Sequence, residues 1–127
     1  MKIVALVARI LLGLTFVVFG ANGLHPFLKM PPPPPGLAGQ YITALFASHY
    51  ALVPFLVQLI GGLLLLVGLY VPLGLALLGP VIVNILCFHI FLSPSGLPLA
   101  LFVTLLWFVL FFYYRRSFAG IFQARPA

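Results

Sequence analysis

Four apolar runs of close to twenty residues, separated by breaks that carry proline or glycine, leave this chain few ways to fold. They cover about 3–23, 51–70, 75–92 and 97–114. A helix needs roughly 20 apolar residues to cross the hydrocarbon core of a bilayer, so each run is long enough to span. None alternates polar and apolar residues as a barrel strand does. Lipid accepts only helices or closed barrels, because every backbone N–H and C=O must be paired within the protein. The expected fold is all-α: a four-helix transmembrane bundle forming one domain over 1–127. Composition agrees, with 65% hydrophobic and 5% charged residues, against roughly a quarter charged in soluble domains.

The breaks have their own chemistry. Five consecutive prolines, Pro31 to Pro35, follow the first run and predict an extended polyproline spacer on the outer surface. Residues 36–48 (GLAGQYITALFAS) are mildly amphipathic and predict a short interfacial helix, with Tyr41 and Phe46 as anchors. Val71, Pro72, Leu73 and Gly74 read as a tight turn, as do Ser93, Pro94, Ser95 and Gly96. Pro54, Pro72 and Pro98 sit at or near helix starts, where proline is tolerated, whereas Pro80 lies inside the third run and predicts a kink. Residues 1–23 have the look of a secretion signal, but Arg9 interrupts the run and no small-residue cleavage site follows. The segment is expected to stay as the first span.

Charge sets the orientation. Lys2 precedes the first run, and Arg115, Arg116 and Arg125 follow the last. The other side carries Lys29, with His25 and His49. The positive-inside rule then places both termini in the cytoplasm. Trp107, Tyr113 and Tyr114 fit an inner aromatic belt. The net charge of +6 is scattered or sits at helix ends, which fits topology rather than nucleic acid.

There is no Asp or Glu in the chain. That removes paired-carboxylate acid/base catalysis, carboxylate cages for calcium or magnesium, and an acid-supported Ser or Cys triad. It also argues against a proton-coupled transporter. Cys87, the single cysteine, excludes an internal disulfide or a CxxC motif and reads as a small core residue. No metal site is expected.

The residues left to carry function are few. Arg9 lies about 9 Å into the first helix and shares a face with Gly13, Phe16, Gly20 and Gly23. Glycines on one face permit close helix approach, so Arg9 either points into the bundle or snorkels to the inner surface. Gly61 and Gly68 share a second packing face in the next span, which also carries Gln58. His89 is placed roughly 21 Å from the inner end of the third span, and Gln58 roughly 10 Å from the outer start of the second. Asn22, Gln58, Asn84, His89 and Thr104 therefore fall in the middle or outer half of the membrane. Polar groups at one depth are either a hydrogen-bonded structural network or the lining of a ligand pocket. His89 alone also offers an imidazole to a tetrapyrrole metal.

Three stretches resemble the DoxX family of small four-helix bacterial membrane proteins. Arg9-Ile10-Leu11-Leu12-Gly13-Leu14 with Phe16 and Gly20 is similar to the family's first helix. Gly61-Gly62-Leu63-Leu64-Leu65, Gly68 and Val71-Pro72-Leu73-Gly74 are similar to its second helix and turn. Asn84-Ile85-Leu86-Cys87-Phe88-His89 before a short turn is also DoxX-like. Where many such sequences carry an acidic residue near the start of helix two, this chain has Gln58, so no carboxylate stands there to pair with Arg9. The resemblance implies a four-helix fold and a link, through the family's name, to a subunit of a thiosulfate:quinone oxidoreductase. Two functions follow as expectations. One is a non-catalytic subunit that packs with other membrane proteins. The other is a subunit that binds a quinone or another lipid-soluble molecule through Arg9, Asn22, Gln58, Asn84 and His89.

Overall fold

A computed structural model of the chain describes residues 1–28 and 32–125. Lys29 and Pro31, which entered the charge and polyproline readings, lie outside the described residues. The described residues form five α-helices and no strand: α1 (Lys2–Leu24), α2 (Leu37–Ala47), α3 (Leu52–Val67), α4 (Val71–Phe91) and α5 (Leu97–Tyr113). A short 3₁₀ turn, Pro94–Gly96, precedes α5, and a 3₁₀ segment, Arg115–Phe122, follows it.

The chain is a multi-pass membrane protein. α1, α4 and the segment Pro94–Tyr113 are each long and apolar enough to cross a bilayer. α2 and α3 qualify together as a fourth, broken span, bent by 84°. With its 16 residues, α3 extends about 24 Å, slightly less than the hydrocarbon thickness. α1 packs on α3, α3 on α4, α4 on α5, and α5 returns to α1, which closes a ring of four helices. α2 stands outside the ring. Its near-perpendicular angle to α3 turns it parallel to the membrane plane when α3 runs along the normal, as a short interfacial helix requires. Met1 and the stretch from Tyr113 to Ser117 line one depression, so the start of α1 and the end of α5 lie at the same end of the bundle.

Local chemistry explains the ends. Asn22, in the last turn of α1, accepts hydrogen bonds at its Oδ1 from the backbone N–H groups of Phe27 and Leu28 (3.0 and 2.9 Å). This folds the chain back over the helix end just past Pro26. Pro54, Pro72 and Pro98 sit in the first turns of α3, α4 and α5, where the missing N–H has no intrahelical acceptor in any case. At the bend between α2 and α3, His49 takes a left-handed conformation (φ 63°), and the Ser48 hydroxyl accepts the Tyr50 N–H at 3.2 Å.

The reversal between the second and third spans differs from the sequence reading. Val71 to Gly74 is not a turn; it is the first turn of α4. The chain reverses at Gly68, Leu69 and Tyr70, with Gly68 at φ 76° and Tyr70 at φ 55°. Left-handed geometry costs a residue with a Cβ about 1–2 kcal/mol, so glycine is the natural cap at 68. The second span therefore stops at Val67, and the third starts four residues earlier than expected. α4 then continues helical through Pro80. Gly79, immediately before it, has no Cβ to meet the proline ring, which lessens the usual bias against helix at that position.

Interhelical packing depends on backbone approach, since lipid supplies no hydrophobic drive between helices. A Cβ added at Gly62 would lie 2.8 Å from Val17 N and 2.9 Å from the Gly13 carbonyl oxygen. One added at Gly20 would lie 2.7 Å from Leu59 N. The adjacent Gly61 turns to the other neighbour: its added Cβ would meet Leu78 of α4 at 2.8 Å, and one at Gly74 would meet the Gly61 carbonyl at 3.1 Å. The Gly61-Gly62 pair thus lets α3 sit close to α1 on one side and to α4 on the other. Leu12 and Phe16 of α1, Leu65 of α3, Leu75 and Leu78 of α4 and Leu110 of α5 fill the centre. Val83 and Leu105, each 60% exposed, face outward, as lipid-facing residues do.

Candidate functional site

The polar side chains of the bundle fall into several places rather than one. At the end that holds both termini, Arg9 is half-buried, and its guanidinium lies directly over Gly68. Any side-chain carbon at 68 would collide with the Arg9 Nη1. The cation therefore rests against the C-terminus of α3, where unpaired carbonyls and the helix dipole favour positive charge. It neither enters the bundle centre nor reaches for a carboxylate.

At the opposite end, Asn22 and Gln58 are the buried polar residues, 8% and 7% exposed. Asn22 is engaged in closing α1, as described above. Gln58 belongs to the buried stripe of α3 with Gly61, Gly62 and Leu65. Its carboxamide forms no side-chain hydrogen bond among the described residues. No fully enclosed side-chain nitrogen or oxygen among the described residues lacks a partner.

Asn84 and Cys87 are exposed, on the outer side of α4 away from the ring. The inward stripe of α4 is Val71, Gly74, Leu75, Leu78, Val81 and Ile82, fixed by the Gly61–Gly74 approach, and it leaves 84 and 87 on the far face. This corrects the reading of Cys87 as a core residue. Asn84 finds its partner outside the ring: Nδ2 donates to the Tyr41 hydroxyl of α2 at 3.3 Å. The Tyr41 ring also packs on Phe88, with centroids 5.4 Å apart. α2 is thereby held against the C-terminal half of α4.

His89 lies in the last turn of α4, at the rim of the bundle. Its Nδ1 is 2.9 Å from the Ser93 carbonyl oxygen. A carbonyl only accepts, so this bond places the proton on Nδ1. The ring edge packs against Gly96, where a Cβ would clash with it. His89 thus fastens the turn that starts α5. Thr104 donates to the Ala100 carbonyl of its own helix at 2.7 Å.

One polar contact escaped the sequence reading. Trp107 of α5 donates its indole N–H to the Leu75 carbonyl of α4 at 2.9 Å, and its ring stacks on Phe111. Leu75 precedes Ala76, whose carbonyl Pro80 leaves without its intrahelical donor. A tryptophan opposite a mid-helix proline was the available signal.

His89, Asn84 and Gln58 are therefore each placed in a different local environment; Asn22 closes α1 at the same end as Gln58, and Arg9 lies at the opposite end. One surface depression is lined by Pro33, Pro34, Gly36, Gly39, Gln40, Thr43 and Ala44 beside α2, and another by Met1 and Tyr113 to Ser117. Neither includes the five residues of the expected pocket. No group of three His, Cys, Asp or Glu side chains able to hold a metal occurs among the described residues. No protein-family model, curated protein or solved structure matches the chain.

Proposed function

We propose that the chain is a DoxX-like, non-catalytic subunit that packs with other membrane proteins in a bacterial cytoplasmic membrane, both termini in the cytoplasm. The observation that carries this reading is the use made of the in-span polar groups. Asn22, Asn84, His89, Thr104 and Trp107 each bond to another part of the same chain. They build helix ends, a turn and a helix contact, and so do not converge on a substrate. Orientation is supported by charge: Lys2, Arg9, Arg115 and Arg116 lie at the end where the chain starts and α5 stops. Purification of the full chain from native membrane in a mild detergent, followed by mass spectrometry, should recover a membrane protein in fixed ratio to it. Recovery of the chain alone, at full native yield and stable, overturns the subunit reading. Reporter fusions after residue 127 and beside Pro33 should report opposite sides of the membrane, and equal signals overturn the orientation.

A second reading is supported by Gln58. A carboxamide within a buried stripe, with no side-chain hydrogen bond among the described residues, suits a lipid-soluble molecule with a carbonyl or hydroxyl, such as a quinone. Gln58→Leu should then deplete one co-purifying quinone or lipid while the helix content stays intact. An unchanged lipid and quinone profile overturns this reading.

A further inference from the structure

We propose that the end of the bundle holding both termini carries a binding site for the phosphate of an anionic phospholipid headgroup, formed where α5 meets its 3₁₀ tail. The proposal rests on the membrane-spanning reading of the four-helix ring, and it assigns a ligand that the subunit reading does not include.

The depression there is lined by Met1, Tyr113, Tyr114, Arg115, Arg116 and Ser117. Two arginines, two tyrosines and a serine thus border one concavity. Arginine presents its donors in a planar fork suited to phosphate oxygens. Arg115 is held in place, because Nη1 donates to the Phe112 carbonyl at 2.7 Å at the end of α5. That bond uses one of its five N–H donors and leaves the others available. Tyr113 and Tyr114 are fixed edge-to-face, with ring centroids 4.9 Å apart. Arg116 and Ser117 are exposed beside them.

Two further features select a lipid. The chain contains no Asp or Glu, so these arginines have no side-chain carboxylate to pair with, which favours an anion from outside. The tail is also built to lie at an interface. Phe118 is buried and packs on Phe111, and Phe122 reaches the same ring, while Ile121 and Phe122 remain 71% and 72% exposed. Apolar side chains beside arginines match the boundary between headgroups and acyl chains. A lipid bound here would place its phosphate in the depression and its chains along the exposed side of α1 and α5, where Val4, Val7, Leu105 and Phe112 face outward.

The test uses the full chain in detergent micelles carrying equal amounts of phosphatidylglycerol and phosphatidylcholine, read by native mass spectrometry. One phosphatidylglycerol should remain bound in preference to phosphatidylcholine. Arg116→Gln should weaken retention about fivefold, the effect of one basic residue at an anionic surface, and Arg116→Lys should restore much of it. Arg125→Gln removes the same charge from outside the depression and should leave retention unchanged. Equal loss in Arg116→Gln and Arg125→Gln would show a diffuse charge effect and overturn the site. So would equal retention of the two lipids. Inorganic phosphate that displaces the lipid at equal concentration would assign the depression to a free anion and overturn the lipid proposal. Failure to recover a protein partner from native membrane would leave this result untouched.

Discussion

Replacing Gly62 with alanine should destabilise the bundle more than the same change at Gly61. The two glycines are adjacent in α3, so both substitutions gain the same helix propensity, up to about 1 kcal/mol. They differ in what the new methyl meets. At 62 it arrives 2.8 Å from Val17 N and 2.9 Å from the Gly13 oxygen, both backbone atoms of α1. Neither moves without shifting a whole helix, so the α1–α3 separation must widen by roughly half an ångström to reach ordinary contact. Overpacking of that kind costs about 1–3 kcal/mol. At 61 the close atoms are Cγ and Cδ2 of the Leu78 side chain, at 2.8 and 2.9 Å, and the nearest backbone atom is the Gly74 oxygen at an ordinary 3.4 Å. A side chain can give more readily than backbone, but Leu78 is itself fully buried, so Gly61→Ala should lose stability too, by less than Gly62→Ala. After a full propensity gain is subtracted, Gly62→Ala should lose up to about 2 kcal/mol. Reversible unfolding in mixed micelles of mild detergent and dodecyl sulfate, followed by circular dichroism, measures both variants. Gly20→Ala, whose methyl would lie 2.7 Å from Leu59 N, should behave like Gly62→Ala. If Gly61→Ala and Gly62→Ala shift the midpoint equally, the backbone contact between α1 and α3 is not the determinant, and the reasoning fails.

Gly68→Ala should cost about 1–2 kcal/mol from left-handed strain alone, and more while Arg9 is present; in an Arg9→Ala background the added penalty should vanish, and a double-mutant cycle of unfolding free energies with zero coupling would contradict the contact. Trp107→Phe removes the N–H to the Leu75 carbonyl but keeps the ring, and should lose about 0.6–2 kcal/mol in the same unfolding assay; a stability equal to that of the parent chain would show that the Leu75 carbonyl needs no second donor. His89→Leu should speed amide exchange at Gly96 and Leu97 several-fold without altering exchange in α1, because His89 ties only the α4–α5 turn; uniform acceleration across all helices would refute that local role.

The spans and the perpendicular α2 were legible because length, hydropathy and amphipathic pattern act locally. The reversal at 68–70 was not. Leu69 and Tyr70 are as apolar as the helices around them, and Pro72 resembles a turn residue although it is equally at home in a helix's first turn. The facing of α4 was misread at Cys87 for a different reason. Polar residues within a span were expected to turn inward, but the partner of Asn84 is Tyr41, 43 positions away on a helix outside the ring. Nothing in α4 itself encodes that contact.

The absence of carboxylates explains why the polar contacts were the hardest part to read. A search for function in sequence looks for side chains that complement one another, such as an arginine with an aspartate. Here side-chain acceptors are scarce, so donors go to the backbone. Arg115 bonds the Phe112 carbonyl, Trp107 that of Leu75, His89 that of Ser93, Thr15 that of Leu11 and Thr104 that of Ala100. Some of these carbonyls lie within a helix turn of the donor in sequence, and such bonds follow from position alone. The Leu75 carbonyl instead lies on a neighbouring helix close to Pro80, and the order of helices around the ring decides which donor reaches it. The same scarcity leaves cations without partners. Arg9 is provided for by the end of α3, but Arg116 forms no side-chain hydrogen bond among the described residues. Its counter-charge is what the proposed headgroup site would supply, at the end of the bundle that holds both termini.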